Sequence, residues 1–436
     1  MAHLSESASL QDWLSYIESC HPQEIELGLE RFAQVAERLP IDLSRVPKII
    51  VAGTNGKGSS TRLLESILSA AGYRVGCYTS PHFRRYNERI RLAGEEVSDQ
   101  ALTQAFAQIE DARGDLSLTY FEFGTLAAFL CMSAAELDVC VLEVGLGGRL
   151  DAVNWIDADV ALITTVALDH TDWLGPDRES IGREKAGVMR AHTPAVCGDA
   201  EPPLSVLEQA RNLGCDLRVR ERDFYYTQDL AHKTWTWQGQ NPCGEALKFE
   251  DLPWPELPMQ NAASVIQVLS FLPLQTSDEA LRHGLRDARL TGRMQKIYAH
   301  GQEYLLDVAH NPESAQYLAD ALKSQAQGRA IHLTLGMLAD KDIDEVLKAL
   351  MAVVDHWHLV SLPGARGASA QRLQQGLVRL GVAPELIQLY ASVPQALQLP
   401  QQPCAQPSLH VVAGSFLTVT AALEWLDPLP ETDDVE

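Results

Sequence analysis

The chain has 436 residues, enough for two domains of ordinary size. Apolar residues make up 46% and charged residues 21%, a globular balance, while a formal charge of −23 argues against a nucleic-acid partner because an acidic surface repels phosphate backbones. The longest apolar runs, such as Leu126–Met132, fall far short of a bilayer span, and the N-terminus lacks the basic-then-apolar pattern of a secretory signal. The eight cysteines include no CxxC pair. Reduced thiols in a cytoplasmic protein without a membrane partner are therefore expected.

In chain order, amphipathic segments at Leu10–Ile17 and Leu27–Leu39 lead to an apolar strand, Val46–Ala52. A glycine-rich turn follows, then a helical pattern over Ser59–Ala71 with apolar residues at 63, 64, 67 and 68, closed by Gly72. Strand Arg74–Thr79 precedes two helical patterns, Asp99–Ala112 and Phe121–Glu136. Strands Leu137–Glu143 and Val160–Thr165 are nearly continuous apolar runs, as parallel strands covered on both faces require. Between Arg218 and Pro258 tryptophans, prolines and short alternating runs predict an antiparallel excursion or long loop, and a helix resumes at Asn261–Phe271. After Gly292 strands Tyr304–Val308, Ala330–Leu335, His356–Val360 and His410–Ala413 alternate with helices Pro312–Lys323 and Ile343–Met351 and a final helix. The expected fold is α/β: an N-terminal P-loop-type doubly wound, mostly parallel sheet domain over residues 1–291 and a smaller Rossmann-like α/β domain over 292–436, linked near Ala288–Gly292.

The strongest local signal is Gly53-Thr54-Asn55-Gly56-Lys57-Gly58-Ser59 between a strand and a helix. That context turns backbone N–H groups and a helix N-terminus toward an anion, with Lys57 reaching the outer phosphates of a nucleotide. It departs from the standard phosphate-loop spacing, since Gly58 separates Lys57 from Ser59. Glu143 ends an apolar strand, a position suited to holding Mg2+, and Gly145–Asp151 follows with three glycines that imply a tight path or close approach to a ligand. Ser80 and His170 each follow a predicted strand. Strand ends thus deliver Lys57, Ser80, Glu143 and His170 to the carboxyl edge of the sheet, where open α/β folds place ligands. Lys185, within Ile181–Gly187, reads by composition alone as a solvated helix lysine.

Gly53–Ser59 (GTNGKGS), Ser80-Pro81-His82, Leu142–Asp151 (LEVGLGGRLD), Leu168–Gly175 (LDHTDWLG), Glu184–Gly187 (EKAG), Asp307–Pro312 (DVAHNP) and Gly414–Val419 (GSFLTV) together resemble the folylpolyglutamate synthase/dihydrofolate synthase family, which belongs with the Mur ligases. The glycine after the phosphate-loop lysine is itself typical of that family. The resemblance implies an ATP-dependent ligase: ATP phosphorylates a carboxylate to an acyl phosphate, and the amino group of L-glutamate displaces the phosphate. It implies that Thr54, Asn55, Gly56, Lys57, Gly58 and Ser59 hold the phosphates, that Ser80 and Glu143 ligate one Mg2+ and His170 a second, with Ser59 beside them, and that Lys185 is carbamylated to become an anionic metal ligand. Lys57, Glu143, His170 and Lys185 are the implied catalytic group. Asn261, Arg293, Asp307 and His310 would contact the nucleotide, and a grip from both halves implies that the domains close on it. Segments Glu24-Ile25-Glu26-Leu27, Thr119-Tyr120-Phe121-Glu122 and Leu150-Asp151-Ala152 resemble the dihydropteroate site of the bifunctional bacterial members. Aromatics such as Phe121 and Phe123 more often pack in a core than serve as a stacking platform. The implied partners are dihydropteroate, reduced folates, L-glutamate and ATP, acting on a monomer.

A folylpolyglutamate synthase without the dihydrofolate activity, a Mur peptidoglycan ligase and a non-catalytic P-loop protein are the competing readings. Residues 41–91 carry nine bases and three acids, a net +6 against −29 for the remainder. Arg84, Arg85, Arg89 and Arg91 in that window are candidates to guide folate or glutamate carboxylates, with plain surface arginines as the alternative.

Overall fold

The computed structural model describes residues 8–23, 25–398 and 408–428. The chain divides into two compact units, Met1–Ala288 and Arg289–Glu436. Strands of the first unit are β1 Lys48–Ala52, β2 Val75–Tyr78, β3 Ile90–Leu92, β4 Glu95–Glu96, β5 Val139–Glu143, β6 Val160–Ile163, β7 Pro194–Cys197 and β8 Asp216–Val219. They form one sheet in the order β4-β3-β2-β5-β1-β6-β7-β8. From β2 to β8 all pairings are parallel, while β3 and β4 add antiparallel at the edge.

Every residue of β1 and β5 is buried, because helices cover both faces of the sheet centre. Helix Lys57–Ala70 turns Leu63, Leu64, Ile67 and Leu68 inward at the spacing of one helical face. The chain leaves β1 toward β2 on one side, while β6 lies on β1's other side. This reversal opens a crevice at the carboxyl ends of β5, β1 and β6.

The stretch with the tryptophans forms a separate antiparallel sheet of β9 Tyr225–Asp229, β10 Thr234–Gln240 and β11 Ala246–Pro253, in the order β11-β10-β9. Trp235 and Trp237 are fully buried on alternate positions of β10, and their indole N–H groups donate to the carbonyls of Pro253 and Ala263. The excursion is thus a packed sheet, not a loop.

The second unit is a six-stranded sheet of β12 Gln295–Ala299, β13 Gln302–Asp307, β14 Ala330–Leu335, β15 His356–Val360, β16 Ile387–Tyr390 and β17 Ser408–Ala413, in the order β12-β13-β17-β14-β15-β16. Only β12 is antiparallel. One face packs Leu305, Ile331, Leu333, Trp357, Leu409 and Val411 into the core. On the other face His410, His332 and His356 are register neighbours across β17, β14 and β15. Their rings lie 5.3 and 4.5 Å apart, and His358 stacks on His332 at 5.5 Å. Burial, reinforced by the neighbouring imidazoles, pushes His332 down to about 4 and His358 to about 3.

Candidate active site

The phosphate-loop segment leaves β1 at Gly53, whose φ is +147°. A Cβ there would lie 1.8 Å from the Thr164 hydroxyl, so only glycine fits the approach to β6. Thr164 and Thr165 clamp the loop: the Thr54 N–H donates to the Thr165 carbonyl at 2.8 Å, and the Thr164 hydroxyl donates to the Asn55 carbonyl at 2.6 Å. Gly56 caps helix Lys57–Ala70 in the left-handed region, at φ +90°, with the Asn261 amide only 2.6 Å from where its Cβ would stand. Asn261, buried on helix Met259–Leu269, therefore lies directly against the loop. The Lys57 ammonium donates to the Gly53 and Thr54 carbonyls at 2.9 and 3.3 Å, which curls the loop around its own cation. Ser59 is buried in the first helical turn.

Three neighbouring strand ends supply the other groups. Ser80 follows β2 and precedes Pro81 through a cis peptide bond. Glu143 is the last residue of β5, paired in register with Val51 of β1, and is 5% exposed. His170 lies beyond β6 in the left-handed region at φ 51°, its N–H donating to the Asp169 carboxylate at 2.9 Å. The same loop is fastened to the phosphate loop, since Ala167 N–H donates to the Thr54 hydroxyl at 3.1 Å.

Lys185 is 3% exposed on helix Arg178–Ala186, which corrects its reading as a solvated lysine. Amphipathic periodicity is weak in this short polar helix, so composition hid the buried face. The glycine run after Glu143 packs on this helix: a Cβ on Gly148 would meet the Glu184 and Lys185 carbonyls at 2.9 and 3.2 Å, and Arg149 N–H donates to the Glu184 carbonyl at 2.8 Å. A hydroxyl and a carboxylate at one sheet edge are hard oxygen donors suited to a divalent cation, and the imidazole beside them is a further candidate ligand. Among the described residues no group of three or more His, Cys, Asp or Glu is arranged to hold a metal ion.

The segments that resemble a dihydropteroate site also converge. Thr119 caps helix Tyr120–Ala134 in a reciprocal capping box with Glu122. The Arg31 guanidinium grips the Glu122 carboxylate at 3.0 and 3.1 Å and also pairs with Glu26. Gly28 N–H donates to the Leu150 carbonyl at 3.3 Å. Ile25, Glu26, Leu27, Tyr120, Phe121 and Leu150 keep partial or full exposure, and Thr119, Glu122, Asp151 and Ala152 are buried. Glu24 lies outside the described residues. Phe121 lies over Gly145, where a Cβ would meet its ring at 2.5 Å, whereas Phe123 is core. The Asp151 carboxylate accepts from Leu146 and Val153 N–H at 2.8 and 3.0 Å, yet burial pushes its pKa up to about 6.

Sequence reasoning treated Arg84, Arg85, Arg89 and Arg91 alike, and the structure separates them. Arg91 pairs with Glu65 at 2.9 Å, and Arg85 pairs with Asp99 at 3.2 Å on the exposed surface. Arg89 is 8% exposed, so it is not a surface arginine. Its Nε–H donates to His82 Nδ1 at 2.8 Å, and its guanidinium carbon stands 5.1 and 5.5 Å from the Tyr86 and Tyr120 ring centres. Burial and the adjacent guanidinium hold His82 down at about 4. Two cation–π contacts of ~0.5–2 kcal/mol each offset only part of the ~3–5 kcal/mol that attends a buried charge left without its counter-ion. No spacing rule marks this arginine, because its cage joins the His82–Arg89 segment to Tyr120 from a separate helix.

In the second unit Asp307 ends β13 and accepts from the Met294 and Ala309 N–H groups, both at 2.9 Å. Burial raises its pKa, against the pull of Arg293. His310 Nδ1 lies 2.8 Å from the Val308 carbonyl, and the Arg293 guanidinium stands 5.5 Å from the Phe416 ring centre.

Comparison with known proteins gives two family matches: "Mur ligase middle domain" over residues 51–198 and "Mur ligase, glutamate ligase domain" over residues 292–416. The chain is 45% identical over 422 residues to the dihydrofolate synthase/folylpolyglutamate synthase of Escherichia coli K12, covering 97% of this chain and 96% of that one. Among solved structures it resembles E. coli FolC in complex with DHPP and ADP, at a TM-score of 0.90 and 44% identity over 97% and 98% of the two chains. A bifunctional folylpolyglutamate synthase/dihydrofolate synthase with Mn, AMPPNP and L-glutamate bound matches at 0.88 and 45% identity, covering 97% and 99%.

Proposed function

From the premise that this chain belongs to the bifunctional dihydrofolate synthase/folylpolyglutamate synthase family of the Mur ligases, we infer its chemistry and the residues that perform it. It is an ATP-dependent ligase that joins L-glutamate to dihydropteroate, making dihydrofolate, and to folates, making folylpolyglutamates. It uses ATP and a divalent metal ion.

The reaction has two displacements. A carboxylate oxygen of the acceptor attacks the γ-phosphorus of ATP and expels ADP, giving an acyl phosphate. The glutamate amine then attacks the acyl carbon, loses a proton, and expels inorganic phosphate as the amide forms. A carboxylate is a poor electrophile, and phosphorylation supplies the leaving group. Both steps bring anions together, so the protein's contribution is positioning and charge neutralisation.

The observation that carries the assignment of residues is the convergence of the phosphate loop, Ser80, Glu143 and His170 on the carboxyl edge of adjacent parallel strands. Backbone N–H groups of Thr54–Ser59 and the Lys57 ammonium hold the phosphates at a helix N-terminus. Ser80 and Glu143 would hold one Mg2+ and His170 a second, with Ser59 nearby. The cation neutralises phosphate charge when bound. Lys185 as an unmodified cation suits this role poorly, and carbamylation by CO2 would make it an anionic oxygen donor. Asn261, Arg293, Asp307 and His310 contact the nucleotide. The segments around Ile25–Leu27, Thr119–Glu122 and Leu150–Ala152 take the pterin. The enzyme acts as a cytoplasmic monomer; among its described residues no helix is long and apolar enough to cross a membrane.

Mass spectrometry of products tests the function. With ATP, Mg2+ and L-glutamate, dihydropteroate should gain one glutamyl residue and tetrahydrofolate a series of them. Absence of the first product with retention of the second would leave only the folylpolyglutamate activity.

A further inference from the structure

Arg89 departs from the way this protein treats its other embedded arginines. Arg31 meets Glu122 at 3.0 Å, Arg91 meets Glu65 at 2.9 Å and Arg113 meets Glu110 at 2.6 Å. Arg89 is 8% exposed, yet among the described residues no carboxylate stands at ion-pair distance from it. The acid beside it in sequence, Glu88, is already committed. Its carboxylate accepts from the N–H groups of Phe83, Arg84 and Arg85 at 2.7, 2.7 and 2.8 Å, closing the loop that follows Pro81.

The guanidinium is nevertheless fixed. His82 takes its Nε–H at 2.8 Å, and Tyr86 and Tyr120 flank it as a cation–π pair. Neither Nη makes a hydrogen bond to a described residue, and neither is among the sealed polar atoms without partners, so that end of the fork stays within reach of solvent. Two adjacent Nη groups with parallel N–H bonds match the two oxygens of a carboxylate. The location fits an acceptor. Arg89's own carbonyl takes the Thr79 N–H at 2.9 Å, next to Ser80, while Tyr120 begins the helix whose first turn belongs to the candidate pterin segment.

Resting on the ligase reading above, we propose that Arg89 is a substrate-binding residue: its two Nη groups bind, end-on, the carboxylate that dihydropteroate and folates both bring for activation. The aromatic walls exclude water and hold the fork, and His82 fixes its rotation through Nε. The bound carboxylate supplies the counter-ion that no described residue provides. The same contact orients the carboxylate at the edge that carries Ser80.

The test is isothermal titration of the full-length, ADP- and Mg2+-loaded enzyme with dihydropteroate and with its carboxamide. The wild type should prefer the carboxylate by about tenfold to a hundredfold, the range for hydrogen bonds to a charged group. Arg89→Met, which keeps the bulk between the two rings, should lose that preference while binding the carboxamide as the wild type does, and its KM for ATP should not move. If Arg89→Met does not fold, as judged by circular dichroism, Arg89→Lys keeps the charge but not the fork and should show a reduced preference. A wild type that binds both compounds equally, or a folded variant that keeps the full preference, would overturn the proposal and leave the ligase reading standing. A wild type that binds neither compound and forms no glutamyl product would end both.

Discussion

Lys185 illustrates how much a single side chain can depend on its surroundings. At 3% exposure an ammonium group is costly, and it sits on the helix that packs against the loop following Glu143. If it is carbamylated, Lys185→Ala should cut ligation by at least about a hundredfold, in line with the loss of one fixed electrostatic partner of a developing charge, while ATP affinity stays within a few-fold. A carbamate resonance in the wild type supplied with 13C-bicarbonate, absent from the variant, checks the chemistry, and unchanged turnover would sink the assignment. Asp151 offers a test by pH. Burial raises its folded pKa from 3.8 to about 6, so the folded state binds the proton more tightly than the unfolded chain. Its contribution to stability is therefore greatest in acid and declines as pH rises from about 4 to about 6. The Tm difference between wild type and Asp151→Asn should shrink over that window on the alkaline side. A flat difference would show that burial leaves the carboxyl unshifted, and one that grows with pH that the folded state favours the carboxylate; either would refute the raised pKa.

The elements decide what those residues can reach. Helix Lys57–Ala70 begins at a glycine in the left-handed region because Asn261 occupies the space a Cβ would need. Gly56→Ala should raise the KM for ATP by about tenfold or more, since the strain of a non-glycine residue there is ~1–3 kcal/mol and falls on the loop itself. The KM for dihydropteroate should stay near its wild-type value, and equal changes in both would mean that the whole sheet edge had moved. Helix Tyr120–Ala134 starts with the reciprocal pair Thr119 and Glu122. Thr119→Ala should cost about 1 kcal/mol of stability and, if the first helical turn takes the pterin as proposed, raise the acceptor KM. Urea denaturation and steady-state kinetics separate the two effects.

At the scale of the whole molecule a row of buried imidazoles makes the second unit sensitive to acid. In the second unit burial depresses the folded pKa of His332 and His358 from 6.5 to about 4 and about 3. His410 is lowered for the same reason. Tyr304, Tyr390 and the Ser408 hydroxyl share that face, and the acid acting on His332 is Asp355 at the head of β15. The neutral imidazoles contribute stability that is present above pH 6.5 and lost as pH falls through 4. Calorimetry at pH 7.5 and 5 should show the second unit's transition moving down in temperature in acid. His358→Phe, which cannot take a proton, should reduce that movement, and an equal movement in the variant would refute the role of the row. The overall charge of −23 gives no sign of this, because it averages over a cationic window and says nothing of which histidines are buried.

Much of this architecture was readable in the order of residues. Apolar runs at β1, β5 and β6, the glycine-rich turn after β1 and the restart of alternation after residue 292 follow from local rules of burial and backbone freedom, and they place Lys57, Ser80, Glu143 and His170 at one edge. The short strands β3, β4, β7 and β8 were not legible, since two to four residues carry too little periodicity to stand apart from a turn. Burial of Lys185 and the separation of Arg89 from its neighbours were decided only by tertiary structure. Both depend on segments far apart in the chain: the Gly145–Leu150 loop against the helix of Lys185, and Tyr120 beside Arg89. Sequence fixes which groups are available near the sheet edge. Packing decides which of them is left charged, enclosed and without a counter-ion, because desolvation is set by what surrounds a residue and not by what precedes it.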